Sequence, residues 1–218
     1  MDSLIKTIPQ IQQCIKDTMK DFREAQDSAP VYDYSLFTPE AIADMRKDYK
    51  EKIFSRAKES LKDVASDVQI KKKLLQDNIN KLRFPVKSSA VGSDEKMTAE
   101  ITQSRAEALA MSKLDYNVIS YLKAEFQKGN TDFINYFEDA VKLNTGLSTD
   151  LRSEMSEVFS AVSEQTGLKD LQTEISICSV HEDYINTYDK VIEDNDPALK
   201  LQLGYIQDEI KNLTGAEV

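Results

Sequence analysis

The residues with the greatest chemical reach in this chain are a single histidine, His181, two cysteines, Cys14 and Cys178, and 38 carboxylates. Glu174, Cys178 and His181 stand at i, i+4 and i+7, a spacing that brings three side chains to one face of a helix and so to one metal ion. The same face also reads as packing. Leu168, Leu171, Ile175, Cys178, Ile185, Tyr188 and Ile192 form a helical apolar series in which a reduced cysteine serves as a small hydrophobe and His181 lies at the flank. One histidine excludes the H-E-x-x-H zinc sites and the paired E-x-x-H motif of di-iron bundles. No G-x-S-x-G elbow is present, neither cysteine adjoins a base, and six scattered glycines build no phosphate-cradling loop. Neighbouring acids such as Glu138 and Asp139 are what 38 acids on a helical surface give without any catalytic role. The expectation is a protein that is not an enzyme, with no catalytic residue, no metal and no cofactor.

Two other groups of residues could serve binding. Lys71, Lys72, Lys73, Lys81, Arg83 and Lys87 gather against a lone Asp77 within residues 69–87, a net of +5. Such a segment can meet the phosphates of nucleic acid or of an anionic membrane, can dock on an acidic neighbour, or can be a solvated helix end. The segment 27–37 has no helical period but carries Val31, Tyr32, Tyr34 and Phe37. This strap either covers the helices of its own fold or offers a docking peptide to a partner.

The elements that position these groups are helices. Ile8, Ile11, Ile15, Met19 and Phe22 recur at steps of three and four and predict a helix from Ser3 or Thr7 to about Gln26, with Pro9 in its first turn. Thr38 before Pro39 is an N-cap followed by a proline at the first helical position, so a helix starts at Pro39. From there Ile42, Met45, Tyr49, Ile53, Ala57, Leu61, Val64, Val68, Leu75, Ile79 and Leu82 keep one face, with Lys72 in the single gap. Their mean spacing lies nearer the straight-helix repeat than the 3.5 of a left-handed coiled coil. At about 1.5 Å per residue a helix over 39–84 is roughly 70 Å long. The segment Leu61, Val64, Val68, Leu75, Ile79 and Leu82 is therefore a candidate association stripe, to be covered by other helices of this chain or by a second subunit.

Pro85 ends that helix, and 85–96 reads as a linker. A second long helix is expected over 97–128, closed by Gly129, followed by shorter helices over 131–144, 149–165, 168–193 and 197–213. Gly146, Gly167 and Gly215 mark three of their ends, and Asp196 before Pro197 marks a start.

The expected fold class is all-α: an elongated long-helix hairpin or bundle followed by a bundle of shorter helices. The division expected is a long-helix bundle or stalk over 1–129 and an acidic bundle over 130–218. Charge underlies that division. Residues 1–131 hold 22 basic and 20 acidic side chains, a net of +2, whereas 132–218 hold 6 and 18, a net of −12. The acidic part repels nucleic acid and attracts basic partners. No basic, apolar leader stands at Met1, no stretch is long and apolar enough to span a bilayer, and two cysteines build no disulfide framework. These features predict an intracellular, cytoplasmic protein, or a component of a particle assembled inside the cell. The function expected is a structural or adaptor subunit of a larger assembly, such as a virus or phage particle, acting by helix-mediated association with other protein subunits or with itself. Peripheral binding to nucleic acid or an anionic membrane through 69–87 is the alternative.

Overall fold

The structure is a computed structural model that describes residues 5–84, 93–194 and 197–216. Among these residues the regular structure is all helix, without a strand: α1 (Ile8–Asp27), α2 (Pro39–Arg83), α3 (Ser93–Ala110), α4 (Asn117–Gln127), α5 (Thr131–Val141), α6 (Thr149–Gln165), α7 (Leu168–Asp194) and α8 (Pro197–Thr214). The all-α class is as expected, with one long helix followed by shorter ones. No helix of the described residues is long and apolar enough to cross a membrane.

Capping fixes the starts. The Thr7 hydroxyl accepts from the Gln10 backbone N–H, and the Gln10 side chain accepts from the Thr7 N–H, a reciprocal box that satisfies two donors otherwise left open. Thr38 accepts from the Ala41 N–H at 3.3 Å, so α2 begins at Pro39 as its sequence predicts. At Gly129 and Gly167, φ values of +79° and +72° end α4 and α6 in the left-handed region. Gly146 does not act in that way. Helix α5 stops at Val141, and Gly146 instead donates its N–H to the Asn144 side chain at 3.0 Å, a local turn that relieves it of a positive φ.

The single helix expected over 97–128 is two helices. α3 ends at Ala110, and α4 starts at Asn117 after a turn in which the Asp115 carboxylate accepts from the Asn117 N–H. The Asn144 amide donates to the carbonyls of Ala110 and Ser112, closing the end of α3 from outside the helix. Of the linker expected over 85–96, residues 93–96 form the first turn of α3. Ser3, Pro85 to Gly92 and the Asp196 cap lie outside the described residues.

The chain forms two compact units: one of Met1–Leu74 with Glu174–Val218, the other of Leu75–Thr173. These do not follow the expected division at 129/130. Helices α2 and α7 each contribute residues to both units.

The first unit is a four-helix bundle. Lys6 with Asp67 at 2.7 Å and the Tyr49 hydroxyl on the Ala25 carbonyl at 2.8 Å set α1 antiparallel to α2. The Tyr184 hydroxyl donates to the Met19 sulfur, and the Phe22 and Tyr188 rings meet edge to face, so α7 runs alongside α1. α8 returns antiparallel, with Gln207 donating to Tyr184 and Gln12 to Thr214. Ile11, Ile15, Met19, Leu61, Val68, Cys178, Ile185 and Ile210 fill the interior.

In the second unit, Ala99, Ala106 and Ala110 give α3 a small-residue face that lets its backbone approach α5, over a core built on Leu122, Phe133, Phe137, Met155 and Val158. The end of α2 is latched here. Arg83 donates to the Asn135 carbonyl, Glu138 and Asp139, while the Asn135 amide donates back to the Arg83 carbonyl at 3.1 Å. Phe84 stacks on Tyr136 at 4.5 Å.

Candidate functional site

Glu174, Cys178 and His181 do not converge. Glu174 is held by Lys71 at 3.1 Å, whereas Cys178 and His181 are each 1 % exposed, inside the first unit. Burial pushes the Cys178 thiol up and holds the His181 imidazole below its ordinary range. The imidazole donates to the Ile177 carbonyl, which leaves Nε2 buried without a partner. Among the described residues no group of three or more His, Cys, Asp or Glu is placed to hold a metal ion. Cys14 is free and half-buried beside Lys6, while Cys178 is free and buried.

The basic segment is largely paired. Lys71 meets Glu174, Lys72 meets Glu182 at 2.9 Å, and Arg83 bridges Glu138 and Asp139. Lys73 and Lys81 are exposed, and Lys87 lies outside the described residues. The attraction of basic residues for the acidic C-terminal part, open to neighbouring copies in the sequence, is thus satisfied within this chain at Lys71 and Lys72.

The stripe is covered in the same way. Leu61, Val64, Val68, Leu75 and Ile79 are buried within the single chain, and Leu82 alone is exposed. Its apolar surface therefore makes no demand for a second subunit.

The strap is where apolar surface remains in water. Val31 is 98 % exposed, Leu36 74 %, Tyr34 63 % and Phe37 45 %. Its shape is set locally: the Asp33 carboxylate accepts from the Ser35 N–H at 2.7 Å, and the Asp33 carbonyl accepts from the N–H groups of Leu36 and Phe37. Hydrogen bonding from Ser35 lowers the Asp33 carboxyl below its ordinary value. Tyr32 is half-buried and donates its hydroxyl to the Met45 carbonyl at 3.4 Å, tying the strap to α2.

Beneath the strap lies a groove of about 540 Å³ between the end of α1 and the first half of α2. Ala29, Pro30 and Val31 form one wall, Tyr49, Ile53 and Phe54 the other. Its only charged lining residues are Arg46 and Lys50. Both are exposed on successive turns of α2, and each sits over an aromatic ring: Arg46 at 6.0 Å from the Tyr34 centroid, Lys50 at 5.2 Å from that of Phe54. Tyr49 fixes the floor by donating to the Ala25 carbonyl at the end of α1. On the other side of Tyr49 and Ile53 a second concavity, of about 550 Å³, is lined by Asp21, Glu24, Lys52 and Arg56 among others and is far more polar.

Chemically the groove offers apolar and aromatic contact under two cations, without a nucleophile or a general base. The sequence located the strap by its lack of period. It did not show Arg46, Lys50 and Phe54, which are ordinary outer positions of a long helix until the strap crosses them. Their i, i+4, i+8 spacing was the available signal, and it is too common on helices to stand alone. Comparison with protein-family models, curated proteins and solved structures gives no match to this chain, so its own geometry is what bears on function.

Proposed function

We propose that the protein is a non-catalytic adaptor that works by protein–protein association, and that the strap with its groove is where a protein partner docks. The observation that carries this reading is the exposure of Val31, Tyr34, Leu36 and Phe37 together, beside an apolar groove, in a chain whose long-helix stripe is already covered. Each large apolar side chain moved out of water contributes roughly 1.5–3 kcal/mol before ordering costs, and four in one segment suit a partner's surface. Leu36, 74 % exposed, is not among the residues that line the groove, so a small molecule seated within it would leave that side chain in water. A macromolecular surface would not. Phosphate binding through 69–87 has less support, since Lys71, Lys72 and Arg83 are held by carboxylates.

The test is a photo-crosslinking residue placed at Val31, with Lys113, exposed in the second unit, as the control position. In extract of the cells that make the protein, a discrete protein adduct is expected from position 31 and none from 113. No adduct at 31 overturns the docking reading.

A further inference from the structure

Resting on the docking reading above, we infer that the groove accepts the outer face of α8 from a second copy of this chain. The groove asks for apolar side chains followed by a carboxylate. Arg46 and Lys50 have no carboxylate partner among the described residues, only the rings beneath them.

Helix α8 carries the complement. Its inner face is anchored by Leu203 and Ile210, both buried. Its outer face shows Leu201 at 63 % exposure, Tyr205 at 68 % and Leu213 at 40 %. Glu209 is exposed in the same row at steps of four, with Asp208 exposed beside it. At about 100° per residue, Lys200 and Lys211 fall roughly opposite Glu209 and stay clear of that row.

Among the described residues α3 carries the other exposed apolar row on a helix, and a cation follows its apolar places. On α3, Met97 and Ile101 are 63 % and 51 % exposed with Glu100 beside them, but the next place in the row is Arg105, which would meet Arg46 and Lys50 as a like charge. On α8 the equivalent place is Glu209. Charge complementarity therefore selects α8. Each copy carries one groove and one α8, so two copies either engage reciprocally or continue head to tail.

The experiment is a complementary charge exchange in the full-length protein, read by sedimentation or native mass spectrometry at low salt. Arg46→Glu with Lys50→Glu makes the groove acidic, and Asp208→Lys with Glu209→Lys makes α8 basic. All four positions are exposed, and unchanged helical circular dichroism verifies folding. Each double variant alone is expected to weaken self-association by about tenfold or more, and an equimolar mixture of the two is expected to recover it, since each acidic face then meets a basic one. Wild-type protein that stays monomeric at about 100 µM, or a mixture that does not recover, overturns this inference. The docking reading would survive either result if position 31 still gives adducts with another protein, and would fall only with loss of those adducts.

Discussion

At the scale of single residues, His181 makes the sharpest claim. It is enclosed in the first unit, donates from one nitrogen and leaves the other unmatched, and burial holds its pKa down. The unfolded chain takes up a proton near the ordinary imidazole value of about 6.5, while the folded chain resists it to a lower pH. Between those two values the unfolded state binds more protons, so stability is full above about pH 6.5 and falls as pH drops, by at most about 1.4 kcal/mol per pH unit. Denaturant midpoints measured at pH 7.5 and 5.5 are expected to show this loss in the wild type, and His181→Leu is expected to flatten it. An equal pH dependence in the variant would remove His181 as the cause. The sequence placed this histidine at the flank of an apolar face beside Cys178. It could not tell that Glu174 would turn to Lys71, because a pairing between α7 and α2 depends on a contact far away in the chain.

At the scale of elements, the long helix was the most legible feature, since Thr38, Pro39 and the series of apolar steps all agree on it. What covers the stripe was not legible. The residues that do so in the first unit come from α1, α7 and α8, and α7 and α8 follow more than a hundred residues later. Leu61 and Val68 are therefore interior positions, at 2 % and 0 % exposure. Placing aspartate at both is expected to unfold the first unit, with loss of helical signal and of the cooperative transition, because unpaired charge is costly in an apolar interior. A variant that stayed folded but lost its partners would instead make the stripe an interface. The break between α3 and α4 escaped the sequence for a related reason. The alanines through Ala110 and the run of Val118, Ile119 and Leu122 both look helical, and what separates them is Asp115 acting locally and Asn144 arriving from a later loop.

At the scale of the whole molecule, the all-α class and the charge asymmetry were legible in the residues, whereas the boundaries of the compact units were not, because they depend on chain return. That return has a consequence in time. The first unit is split in the chain, its α1 and the early part of α2 preceding the second unit and its α7 and α8 following it. During synthesis at roughly 5–20 residues per second, the apolar faces of α1 and α2 wait roughly 5–20 s while 75–173 is made. The second unit can close first, and the first unit cannot close until α8 has emerged. A nascent chain arrested at 173 is expected to resist protease across 75–173 while 5–74 is cut, and extension through 216 is expected to protect both. Early protection of 5–74 would show that this order is wrong. In the interval, Ile11, Ile15, Leu61 and Val68 are open to any passing apolar surface, so the newborn chain is most exposed to mispairing and chaperone capture in the seconds before α8 arrives.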